Sequence, residues 1–86
     1  MILQLIDISV RDKQAHPRLD GRMTGHVRAV LRENRDGEEQ LHELVIPVWA
    51  EIDGAMSESD IDMALMLRAA RIIERVRTRL GAQARD

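Results

Sequence analysis

The stretch SESDIDMALMLRAARIIERVRTRL, Ser57 to Leu80, decides the fold. Ile61, Leu65, Ala69, Ile72, Ile73, Val76 and Leu80 recur at helical steps, which stacks them on one face of a 3.6-residue turn. Ser57 and Ser59 are both good N-caps, with Asp60 and Asp62 three residues on from each, the spacing of a capping box. Gly81 follows the last apolar residue as a C′ stop. Acidic residues occupy the first turn and arginines the last turns, as the helix dipole prefers. The spacing therefore predicts one long amphipathic helix over 57–80, with a short, polar, frayed tail over 81–86.

Upstream of this helix the periodicity changes from 3.6 to 2. Residues 2–11 are rich in Ile, Leu and Val and read as a first strand. Ile2, Ile6, Ile8 and Val10 share one face with Gln4; Leu3 and Leu5 share the other with Asp7 and Ser9. A polar connection around His16-Pro17 leads to a second strand over 21–33. There Met23, Gly25, Val27, Ala29 and Leu31 face one way, and Arg22, Thr24, His26, Arg28 and Arg32 the other. Asn34-Arg35-Asp36-Gly37 signals a turn, and a third strand follows over 38–50. A four-residue loop would set Glu33 opposite Glu38, Val27 opposite Leu44, Arg28 opposite Glu43 and Arg32 opposite Glu39. Pro47 cannot donate a ladder hydrogen bond, so the third strand belongs at an edge. The expectation is an α+β domain over 1–86: a three-stranded antiparallel meander of order 1-2-3, with one long C-terminal helix on one face.

Composition bounds the function. Eighty-six residues with 44% hydrophobic content support a single core and exclude disorder. A net charge of −2 gives no global attraction to nucleic acid or to an anionic membrane. The absence of Cys excludes disulfides, thiolate metal sites and a Cys nucleophile, and fits a cytoplasmic protein. The apolar start, interrupted by Gln4 and Asp7, is too short and polar for a signal peptide or a membrane span.

No constellation reads as an enzyme, a cofactor site or a metal site. His26 and His42 fall on opposite sheet faces, and His16 sits in a loop. The acidic residues Glu51, Asp53, Glu58, Asp60 and Asp62 lack the spacing of a calcium loop and serve capping and dipole compensation. The element order resembles the later part of double-stranded-RNA-binding domains at the level of order alone; acidic residues stand where that family is basic, and the chain is assigned to no family.

Apolar residues are left over once the helix covers one sheet face. Leu3, Leu5, Val30, Leu41, Val45 and Trp49 are expected on the uncovered face, and Met63 and Leu67 form a second patch on the helix. The reading is a non-enzymatic interaction or structural protein that self-associates through these patches as a homodimer, with another protein as a further partner. The alternative is a nucleic-acid-binding module. Arg68, Arg71, Arg75 and Arg79 fall within about a quarter-turn of one another and would contact phosphates.

Overall fold

The computed structural model describes residues 2–83, with side chains from residue 3 to residue 78. Three strands, β1 (Ile2–Ala15), β2 (Arg22–Arg35) and β3 (Glu38–Glu51), precede one helix, α1 (Glu58–Gln83). The strands form one antiparallel sheet of order β1-β2-β3, and α1 packs on one face. Each strand has 14 residues, and at about 3.4 Å per residue this length sets the 48 Å long axis of the molecule. The α+β architecture and the meander order match the expectation. β3 lies at an edge, where Pro47 is tolerated. Among the described residues no helix is long and apolar enough to cross a membrane.

The start of α1 is fixed by a capping box. The Asp60 amide donates to Ser57 Oγ at 3.1 Å, and the Ser57 amide donates to Asp60 Oδ2 at 3.1 Å. Ser57 is thus the cap, while Asp62 is taken by Lys13 of β1. The expected stop at Gly81 is overturned, because α1 continues to Gln83. Ala82 and Gln83 are good helix formers, and a helical Gly costs only about 1 kcal/mol. The part of the expected tail beyond Gln83 lies outside the described residues.

The β2–β3 hairpin keeps the expected faces but not the expected partners. Its turn has two residues, Asp36 (φ 53°) and Gly37 (φ 84°), both in the left-handed region of a type I′ turn. Arg35 therefore faces Glu38, Val27 faces Ile46 and Gly25 faces Val48. This is two residues from the four-residue-loop register, and a shift of two leaves every side chain on its own face. Arg28 still reaches Glu43 at 3.2 Å and Arg32 reaches Glu39 at 3.7 Å, now as diagonal pairs.

β1 departs most from the sequence reading. Its pairing with β2 shifts between Leu5 and Asp7 and again between Val10 and Asp12, so Ile6 and Arg11 are bulged. Leu5 faces Leu31, Ile8 faces Ala29, Val10 faces Val27 and Lys13 faces Gly25. Leu3 and Leu5 consequently lie on the helix side of the sheet, not the uncovered side. Each bulge shifts the alternation by one residue, which a strictly two-residue count cannot accommodate. Ile6, expected in the core, is 46% exposed.

The core is the sheet face under α1. Val27, Val48, Ala50, Leu65 and Ala69 form one buried cluster, and Ala29, Leu31 and Ile73 a second. The alanines let the helix approach the sheet closely. Gly25 is needed for a different reason: a Cβ there would collide with the Asp12 carbonyl and lie 3.1 Å from Lys13 Cα.

Candidate functional site

The sheet face away from α1 is a charged ladder rather than a continuous apolar surface. β2 contributes Arg22, Thr24, His26, Arg28 and Arg32 to it. Arg28 bridges Asp7 at 3.3 Å and Glu43 at 3.2 Å, and its guanidinium is held above its ordinary pKa first by the hydrogen bond it donates to Glu43. Arg32 donates to Gln4, and His26 Nδ1 lies 2.8 Å from Asp12 Oδ1. Val30, Leu41 and Val45 stand between these ion pairs. Leu41 and Val45 are exposed, but the chargeable groups beside them break the patch.

Met63 and Leu67 lie on the outer face of α1 and are about half exposed. Helix and sheet form two layers, so this patch and the far sheet face look in opposite directions. The eight residues expected in two patches are thus divided among three surfaces. Leu3 and Leu5 lie under the helix side, Val30, Leu41, Val45 and Trp49 on the far face, and Met63 and Leu67 on the outer helix.

A groove opens where the second half of α1 passes over the end of the sheet near the β2–β3 turn. Its volume is about 370 Å³. Leu3, Leu31, Leu44, Ile46, Ile73 and Val76 provide most of its apolar lining. Leu31 and Ile73 belong to the buried core, whereas Leu44 is 39% exposed and Val76 49%. The rim is polar: His42 Nε2 lies 2.6 Å from Glu33 Oε2, and Arg77 pairs with Glu74 at 3.0 Å. Residue spacing alone did not reveal this groove. The readable signal was Leu44 and Val76 both on core faces, with too little of the other element opposite them.

On the other flank of α1, side chains that looked unrelated in the sequence converge. Trp49 sits on β3, and the guanidinium carbons of Arg22 and Arg68 lie 3.9 and 4.0 Å from its ring centroid. Arg68 Nε also donates to the Trp49 carbonyl at 3.0 Å. Pro47, Val48, Trp49, Arg68, Arg71, Ile72 and Arg75 line a shallow depression there of about 250 Å³. The indole expected to be free for an apolar contact is thus flanked by two cations. The side chain of Arg79, the fourth arginine of the strip, lies outside the described ones.

The histidines do not converge. His26 and His42 occupy opposite faces, and His16 Nδ1 accepts from the amides of Arg18 and Leu19 at 3.0 and 2.9 Å, shaping the β1–β2 loop. Among the described residues, no three His, Asp or Glu side chains are gathered to hold a metal. The acidic residues at the start of α1 are occupied: Lys13 pairs with Asp62 and lies 3.9 Å from Glu58. Comparison with protein-family models, with curated proteins and with solved structures finds no match for this chain.

Proposed function

We propose that the chain is a non-enzymatic interaction module that self-associates through the groove between α1 and the sheet end. The carrying observation is the exposure of Leu44 and Val76 beside the buried Leu31 and Ile73. Their apolar surface is continuous with the core and is left unfilled by the described residues. Fully burying a Leu or Val side chain contributes about 1.5–3 kcal/mol, so at the present exposures each offers about 1 kcal/mol per copy. A second copy is the favoured occupant because the rim carries both signs, Glu33 beside His42 and Arg77 beside Glu74, so the same patch can meet itself across a two-fold without net repulsion. The cysteine-free composition supports a reducing compartment, the cytoplasm, as the site of action.

The test is absolute molar mass by light scattering on a sizing column. The unmodified chain is expected as a dimer that persists at high salt, and Leu44→Asp with Val76→Asp as a folded monomer by circular dichroism. Leu41→Asp with Val45→Asp, on the far face, is expected to remain dimeric. A monomeric unmodified chain, or a dimer lost only with the far-face pair, overturns the assignment.

A further inference from the structure

The depression beside Trp49 lies on the opposite flank of α1 from the groove and does not depend on it. We propose that Trp49 with Arg22, Arg68, Arg71 and Arg75 forms a binding site for single-stranded nucleic acid. Three observations carry this. First, Arg68, Arg71 and Arg75 line one depression and the Arg22 guanidinium lies on the Trp49 ring beside it, in a chain whose net charge is −2. Among the described residues, none of the four has a carboxylate at ion-pair distance. The nearby acid Glu74 is engaged by Arg77 at 3.0 Å. Arg28 and Arg32, by contrast, are each neutralised by a glutamate.

Second, the depression joins cations to an aromatic ring. Nucleobases stack on guanidinium planes as well as on indoles, so a base would stack on the outer face of Arg22 or Arg68, or displace one of them from the Trp49 ring. Third, the dimensions suit one strand. At a rise of about 1.5 Å per residue, Arg68 to Arg75 spans about 10 Å, the reach of about three stacked phosphates. Lys13 offsets part of the acidic start of α1, pairing with Asp62 and lying 3.9 Å from Glu58.

Trp49 is the only tryptophan, so intrinsic fluorescence reads this site alone. The experiment titrates the full chain with a mixed-sequence single-stranded oligonucleotide at several salt concentrations. A saturable change in Trp49 emission is expected, with log affinity falling against log salt at a slope of about −2 to −3 for three or four neutralised phosphates. Arg71→Glu with Arg75→Glu should weaken binding at least tenfold, and the milder Arg71→Gln with Arg75→Gln should weaken it measurably. Arg32→Glu with Arg35→Glu, the same charge change at the other end of the sheet from Trp49, should bind like the unmodified chain. No saturable change at low salt overturns the proposal, as does equal loss in the distant pair. A response to phosphatidylserine vesicles without a response to the oligonucleotide also overturns it.

Discussion

Replacing Gly25 by Ala tests the register of β1 directly. Gly25 is buried opposite Lys13, immediately after the bulge at Arg11. A Cβ at this position would strike the Asp12 carbonyl and sit 3.1 Å from Lys13 Cα and 3.3 Å from the Asp12 carbonyl carbon. These obstacles are backbone atoms of a paired strand, so no rotamer change relieves them. β1 must move outward on the order of 1 Å, loosening the ladder around Lys13. Overpacking of this kind costs about 1–3 kcal/mol, and a backbone obstacle belongs at the upper end. The lower entropy of the unfolded Ala chain returns about 0.4–1 kcal/mol. The net loss is about 2 kcal/mol, equivalent to about 8–16 °C in Tm for a domain of this size. Thermal unfolding followed by circular dichroism, at one fixed protein concentration, measures it. Gly54→Ala is the control, since nothing lies within 4 Å of a Cβ there, and its change should stay within about 0.5 kcal/mol. A Gly25→Ala variant as stable as the control would mean that Asp12 does not approach β2. The bulge at Arg11 would then be wrong.

Other perturbations probe other layers. Leu65→Ala empties the centre of the larger core cluster, where Leu65 is fully buried, and should cost about 2–5 kcal/mol in urea unfolding. Ser57→Ala removes one half of the capping box and should cost about 1 kcal/mol; Asp60→Ala in the Ser57→Ala background should then cost less than it does alone. Lys13 is held above its ordinary value of 10.5, first by its hydrogen bond to Asp62, opposed by desolvation and aided by the charges of Asp62 and Glu58. Its contribution is fully present below 10.5 and is lost as pH rises through the higher folded value. The urea midpoint advantage of the unmodified chain over Lys13→Met should therefore shrink above that pH, and a constant difference would exclude the pairing.

Periodicity made the helix and the buried face of β2 legible. The capping box at Ser57 is a local pattern, and the alternation from Met23 to Leu31 needs no knowledge of neighbours. The hairpin register was within reach too: Asp36-Gly37 is the dipeptide a two-residue type I′ turn requires. Reading a four-residue loop instead left every face intact and changed only who faces whom. β1 was harder. The residues it turns toward the helix fall on odd numbers at Leu3 and Leu5, then on even numbers at Ile8 and Val10, while Ile2 and Ile6 blur the pattern. That switch is the trace of a bulge, but a bulge is fixed only by its partner strand. The meeting of Trp49 with Arg22 and Arg68 was not legible, because it depends on how closely α1 lies to the β3 edge.

The two bulges also bear on how the chain avoids polymerising. Without Ile6 and Arg11, Leu5 would still face Leu31, Val10 would still face Val27, and Asp12 would still face His26 in an uninterrupted ladder. The two residues are therefore surplus to pairing. Their effect falls on the outer side of β1, a free edge that is 14 residues long. A straight edge of that length is a template on which another chain can add a strand. Each bulge bends and twists the strand and interrupts the row of free amides and carbonyls. A version of the chain lacking both residues would keep its internal pairs but expose a flatter edge, prone to growth into fibrils.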